Sequence, residues 1–244
     1  MSADLTGLSS NWKKLQATLA VKKETNSPQD GLKRKRSRLP HPPPRKKIKT
    51  MSTTVTQTAK PQANVGYSED AELGNYISLD CEMVGIGLNG IESALARVSI
   101  VNYNGEQIYD SYVKPKEPVT DWRTPISGIA PYHMQHARSF EEVQSTVAAI
   151  LKDRVVVGHA LRHDWAVLGF THPERDTRDT ARLREYKKLA GGTPKLSLLA
   201  SELLGIEIQK GEHSSLEDAR AAMLLFRRDR DKFEVESKRR KKRK

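Results

Sequence analysis

Tyr76-Ile77-Ser78-Leu79-Asp80-Cys81-Glu82 alternates apolar with polar or acidic residues, and it continues into Met83-Val84-Gly85. As a strand, this segment turns Asp80 and Glu82 to one side, about 6.5–7 Å apart, and Cys81 to the other. An Asp-x-Glu pair is weak on its own, because a solvent-facing strand would carry it equally well. The rest of this strand is apolar, however, and burying two unpaired carboxylates there would be expensive. Such a pair calls for cations beside it.

The segments downstream extend the strand into a sheet. Residues 94–103 read as a second strand that ends at Asn104-Gly105, and residues 107–113 as a third. Two strands meeting at Asn-Gly form an antiparallel hairpin. Residues 140–151 read as a helix, with Ser139 at its cap and Glu141 and Glu142 in its first turn. Val155-Val156-Val157-Gly158 has the composition of a short inner strand. Helices are expected around 161–170, 179–188 and 195–204, the last closed by Gly205, and a final helix from Leu216 to about Phe233. Strands followed by helices around an inner strand give an α/β domain with a mixed sheet, over residues 71–236. No internal repeat is visible.

Two further motifs carry acids. Asp164 lies six residues after Gly158, early in a helix, and so faces the end of the sheet where α/β sites lie. An ordinary first-turn acid favoured by the helix dipole would look the same. His213 and Asp218 straddle the start of the last helix, which Ser214 or Ser215 can cap. A loop histidine titrates near neutrality and suits the activation of water, although most such histidines are surface residues. Each motif is weak alone. Together, four acids beside one general base are what metal-dependent phosphodiester hydrolysis requires.

The order Asp-x-Glu, Asp, His-x4-Asp resembles the DEDD-type 3′→5′ exonucleases of the histidine subclass. The wording is closest to their RNA exonuclease 4 group, near the interferon-stimulated exonuclease. The resemblance is carried by Leu79-Asp80-Cys81-Glu82-Met83-Val84-Gly85-Ile86-Gly87, Thr120-Asp121-Trp122-Arg123-Thr124, Ser127-Gly128-Ile129, Gly158-His159 with Asp164, and His213-Ser214-Ser215-x-Glu217-Asp218-Ala219. Leu8-Ser9-Ser10-Asn11-Trp12-Lys13-Lys14-Leu15 also resembles the N-terminal segment of that group. The resemblance implies a ribonuclease-H-like mixed sheet of about five strands flanked by helices. It further implies two Mg²⁺ or Mn²⁺ ions held by Asp80, Glu82, Asp164 and Asp218, with His213 as the base for the attacking water. Met83 would wedge against the terminal base, and Arg123 would contact the terminal sugar. For these two, core filling and an ion pair with Asp121 are the ordinary alternatives.

Charge divides the chain further. Residues 1–70 carry 14 Lys and Arg against 5 Asp and Glu, and residues 237–244 carry seven Lys and Arg and no acid. The stretch between has 21 against 25, so the basicity is confined to the ends. Basic tails hold a polyanion such as RNA without choosing a sequence, and the grip weakens with salt. An acidic middle argues against a groove-filling DNA-binding domain.

Residues 1–70 are poor in large apolar side chains and read as a disordered tail. Within them, Lys33-Arg34-Lys35-Arg36-Ser37-Arg38 and Arg45-Lys46-Lys47-Ile48-Lys49 flank a Pro-rich spacer, as an import receptor would require. A solvated charge run is the plain alternative. Leu8, Trp12, Leu15 and Leu19 fall on one helical face, which suits docking to a partner such as a pre-ribosomal protein, or a frayed turn without one. Cys81 is the sole cysteine, which leaves no disulfide framework and no cysteine zinc site. Neither a secretory signal nor a run of roughly 18 apolar residues is present, so a soluble intracellular protein with no membrane contact is expected. The combined expectation is a nuclear, nucleolar 3′→5′ exoribonuclease that releases 5′-mononucleotides and matures ribosomal RNA from its precursor. A DNA exonuclease, or an RNA-binding assembly factor without activity, would share most of these features.

Overall fold

The computed structural model describes residues 63–241. The readings on Leu8, Trp12, Leu15 and Leu19 and on residues 33–49 lie outside the described residues.

The elements run β1 (Gly66–Tyr67), β2 (Tyr76–Ile86), β3 (Glu92–Asn102), β4 (Gln107–Lys114), β5 (Val119–Asp121), α1 (Thr124–Ser127), β6 (Arg138–Ser139), α2 (Phe140–Leu151), β7 (Val155–Gly158), α3 (Arg162–Leu168), β8 (Thr177–Asp179), α4 (Arg184–Ala190), α5 (Leu196–Leu204), α6 (Ser215–Arg228) and α7 (Arg230–Lys241). The sheet order is β1-β4-β3-β2-β7-β8, with β5 added to β2 and β6 to β4. β2, β3 and β4 are antiparallel neighbours, whereas β7 and β8 run parallel to β2. The sheet is therefore mixed. It has eight strands where about five were expected, and the strands β1, β5 and β6 are only two or three residues long.

The Asn-Gly hairpin forms where expected. Gly105 adopts φ 80° and donates its amide to the Asn102 carbonyl at 3.0 Å. The Asn102 side chain accepts the amides of Asn104 and Glu106, each at 3.0 Å, and so closes the turn from inside. Alternation along β2 then sorts the two cores. Ile77, Leu79 and Cys81 turn to the face covered by Val143, Val147, Ile150 and Leu151 of α2. On the opposite face α6 lies over Val101 and Val157, and its Ala219, Ala222, Met223 and Phe226 are buried. Alanines on that side let the helix backbone approach the sheet closely.

Three boundaries differ from the sequence reading. The expected helix over 179–188 begins instead as β8, whose Thr177, Arg178 and Asp179 pair with Val156, Val157 and Gly158. A three-residue Thr-Arg-Asp strand carries no apolar alternation, so its polar side chains fixed it by tertiary contacts alone. The final helix breaks at Asp229 (φ −118°, ψ 27°), whose carboxylate accepts the Tyr186 hydroxyl at 2.8 Å and faces Lys232 at 2.7 Å. The folded unit also exceeds 71–236. Gly66 and Tyr67 pair with Asp110 and Tyr109, and α7 continues through 237–241 in the basic terminal stretch.

Phe226 sits in the centre of the α6 core, fully buried, 5.3 Å from Tyr76 and 5.5 Å from Phe233 between ring centroids. Phe226→Ala is expected to lower unfolding stability by about 3–5 kcal/mol, read from urea midpoints at constant slope.

Candidate active site

β2 delivers two of the carboxylates directly. Its side chains at 78, 80 and 82 turn toward α6, and Asp80 and Glu82 pair across the ladder with Ser99 and Arg97 of β3. The register shifts immediately after Glu82, at a bulge between Glu82 and Met83. Such a bulge re-aims the side chains that follow it.

The third carboxylate arrives over the end of β7. Gly158 is required there, because a Cβ would stand 2.4 Å from Leu161 Cδ2 and 3.0 Å from the Leu79 carbonyl. The chain then turns through Ala160 at φ 55°, whose amide is held by Asp179 Oδ1 at 2.9 Å. Asp164 follows in α3, 4 % exposed. The fourth, Asp218, lies in the first turn of α6 and is equally buried, with Gln209 Nε2 donating to its Oδ2 at 2.7 Å. The α6 terminus is itself tied down. Ser214 makes no side-chain cap, whereas Ser215 Oγ lies 2.7 Å from Ser99 Oγ and the Ser215 amide hydrogen-bonds Glu82. Glu82 therefore faces the positive end of a helix dipole.

Burial pushes all four acids up, and repulsion among them adds to it at Asp80 and Glu82. Asp80 is held well above the carboxylate range, first by burial and then by Asp218, Asp164 and Glu82, with Arg97 pulling the other way. Glu82 is pushed up to about 8 by burial and Asp218, against Arg97 and the Ser215 amide. Burial raises Asp164 to about 7 despite hydrogen bonding to Cys81, and raises Asp218 to about 7 despite Gln209. His213 moves the opposite way: partial burial lowers it, so the ring is neutral near pH 7. Its Nδ1 stands 3.9 Å from Asp218 Oδ2 and its amide is anchored on the Ile126 carbonyl at 2.7 Å. A neutral, third-exposed imidazole beside the carboxylates can accept a proton from water.

Among the described residues, no three His, Cys, Asp or Glu side chains stand arranged to hold an ion. The donor set nevertheless fits hard cations. Glu82 Oε1 and Asp218 Oδ1 are buried and accept no hydrogen bond, and unpartnered buried carboxylate oxygens among raised acids are what divalent ions relieve.

The structure thus brings Asp80, Glu82, Asp164, Asp218 and His213 together. Met83, paired with Leu95, is half-buried against the α2-side core. Arg123 is engaged elsewhere: its guanidinium donates to the Gly90 carbonyl at 2.7 Å and Ser93 Oγ at 2.8 Å, which ties down the β2–β3 turn. Asp121 accepts the Arg123 amide rather than the guanidinium. Sequence reasoning missed Arg97, Ser99 and Ser215. Arg97 and Ser99 are polar residues two apart in an otherwise apolar strand, the same pattern as Asp80 and Glu82 one strand over.

A mixed sheet with acids converging from its central strand, the helix after the inner strand and the last long helix is the ribonuclease-H-like exonuclease architecture. The chain belongs to the exonuclease family of DEDDh type, whose model (RNase_T, exonuclease) matches residues 77–226. It is 57 % identical over 190 residues to RNA exonuclease 4 of Aspergillus fumigatus, covering 77 % of this chain and 61 % of that protein. It is 55 % identical to RNA exonuclease 4 of Gibberella zeae, covering 76 % and 58 %. The chain therefore spans about three-fifths of the length of these relatives. A similar solved structure is the Saccharomyces cerevisiae Pan2 pseudoubiquitin hydrolase–RNA exonuclease module in complex with A7 RNA, at TM-score 0.60 and 26 % identity, covering 73 % of this chain and 33 % of that one.

The raised carboxylates set a pH dependence for the metal-free protein. The unfolded chain gives up these protons near the ordinary values of 3.8 and 4.5, whereas the folded chain keeps them until about 7 to 8. Within that window unfolding releases protons, so stability falls as pH rises. In EDTA the melting temperature is expected to drop between pH 5 and 8, and Mg²⁺ is expected to recover more of it at pH 8 than at pH 5; scanning calorimetry reads both.

Proposed function

We propose that the protein is a metal-dependent 3′→5′ exoribonuclease that hydrolyses phosphodiester bonds and releases 5′-mononucleotides. The observation that carries this is the convergence of the buried Glu82, Asp164 and Asp218 with the partly exposed Asp80, all four raised, beside a neutral His213. Exonucleases of this kind use divalent metal ions. Asp80, Glu82, Asp164 and Asp218 are the residues that would hold two of them, Mg²⁺ or Mn²⁺. Bound there, the ions would supply the charge that lets a phosphodiester approach and that stabilises its pentavalent transition state.

The chain's own residues do the rest. His213 accepts the proton of the attacking water, and its loop is steadied by the Ile126 carbonyl. Gln209 holds one oxygen of Asp218 and leaves the other free for a ligand role. Met83 follows the bulge and is assigned to the terminal base. Arg123 is assigned to the terminal sugar, which requires it to exchange a bond to Ser93 or Gly90 for one to substrate.

RNA as substrate is supported by the names of the RNA exonuclease 4 relatives and by the RNA bound to the Pan2 module. Processing of ribosomal RNA precursors is proposed from the resemblance to the RNA exonuclease 4 group, and a place in the nucleus, within the nucleolus, from the 33–49 clusters, which suit an import receptor. Leu8, Trp12 and Leu15 are proposed to dock a pre-ribosomal protein.

Incubating 5′-labelled RNA with the protein and Mg²⁺ or Mn²⁺ tests the proposal. The expected result is a ladder shortening from the 3′ end, abolished by EDTA and by Asp80→Ala, and slowed about 10²-fold or more by His213→Ala. RNA that is bound yet uncut would favour a non-catalytic assembly factor, and a matched DNA strand cut equally fast would remove the RNA assignment.

A further inference from the structure

Asp110 lies on β4, two strands from Glu82, and no solvent reaches its side chain. Its Oδ2 accepts Arg97 Nη2 at 2.9 Å and Ser99 Oγ at 2.6 Å, while Oδ1 accepts Arg97 Nε at 3.3 Å and the Asn64 amide at 2.7 Å. Arg97 and Ser99 are the β3 residues opposite Glu82 and Asp80. Two arms therefore run from Asp110 to the carboxylates of β2.

The first arm concerns Arg97. Its guanidinium is near enough to pull on the charges of both Asp80 and Glu82, yet its hydrogen bonds go to Asp110. Glu82 Oε1 meanwhile accepts nothing, with an arginine directly across the ladder. The bidentate contact commits the Nε–Nη2 edge of the guanidinium to Asp110 and fixes its plane, so that edge does not close on Glu82. The second arm concerns α6. A carboxylate paired with a guanidinium only accepts, so the Ser99 proton points to Asp110 and the Ser215 hydroxyl must donate to Ser99. That chain fixes the first residue of α6, whose amide Glu82 accepts.

We propose that Asp110 is a positioning residue of this site: it diverts Arg97 from Glu82, leaving Glu82 Oε1 for a cation, and through Ser99 it anchors the start of α6. Stability alone does not demand this buried pair, since apolar residues of similar volume commonly replace one without loss. The inference rests on the proposed nuclease activity only for its consequence, because its immediate effect is on cation binding.

The test is Mn²⁺ binding by the metal-free full-length protein, followed by electron paramagnetic resonance without RNA. Asp110→Asn releases Arg97 toward Glu82 and is expected to weaken Mn²⁺ binding about tenfold. Adding Arg97→Met to that variant removes the competing guanidinium and is expected to recover most of the affinity. Ser99→Ala keeps both charges, should fold as wild type does, and is expected to weaken Mn²⁺ about threefold. Unchanged Mn²⁺ binding in folded Asp110→Asn, or a double variant no better than the single one, would overturn the Arg97 arm. Should Asp110→Asn fail to fold, unchanged binding in Ser99→Ala overturns the proposal. A wild-type protein that binds Mn²⁺ but leaves RNA uncut would instead defeat the proposed function and leave this inference standing.

Discussion

Like charges held together out of water are the constraint around which this molecule is arranged. Asp80, Glu82, Asp164 and Asp218 come from three separate elements, and burial lifts every one of them above the carboxylate range. Left alone, such a cluster would push the sheet and α6 apart or take up protons. Fixed dipoles and one cation offset part of that repulsion. The start of α6 offers Glu82 an amide, Arg97 acts on Asp80 and Glu82, and Cys81 and Gln209 hydrogen-bond Asp164 and Asp218. The remainder is left for divalent ions. In the proposed function, bound cations would relieve that strain, and the fold would set their affinity.

The surrounding structure serves to keep those groups from relaxing. β2 is central in the sheet, and its two acids lie between the β7 pairing of residues 76–78 and the β5 pairing of 85–86, where the ladder to β3 holds them. Asp179 grips the amides of Ala160 and Ala181 at 2.9 Å each, which sets the entry to α3 and hence Asp164. β8 is short, but it places Asp179 where it can do this. Across the site, Arg123 and Thr120 bond the turn after β2, while Ile126 and Gly128 pack against the backbone of His213. Residues 120–128, which open with the Thr-Asp-x-Arg-Thr segment, thus support His213 as well as the turn.

How legible this was depended on where each residue takes its orders. Asp80, Glu82 and the Asn104-Gly105 hairpin follow from local alternation and turn chemistry, and both stand where those rules put them. Asp164 and Asp218 were visible only as a set, since either could be a helix-favoured acid. Arg97, Ser99, Asp110 and Asp179 act through long-range pairings, across 13, 11 and 19 residues for the contacts they make, which no local pattern encodes. β8 and the break at Asp229 were missed for the same reason: polar side chains satisfied by distant partners decide both. Composition alone does not show that Asn64 binds β4 through its side chain and its amide, or that Gly66–Tyr67 add backbone pairs to that strand.

The central claim is that the four carboxylates form one cation site. Diffraction from crystals soaked in Mn²⁺, with the ion located by its anomalous signal, tests this most directly. Mn²⁺ is expected among Asp80, Glu82, Asp164 and Asp218, with Glu82 Oε1 and Asp218 Oδ1 turned toward it. Crystals that hold Mn²⁺ only at other surfaces, with those two oxygens still unpartnered, would contradict it.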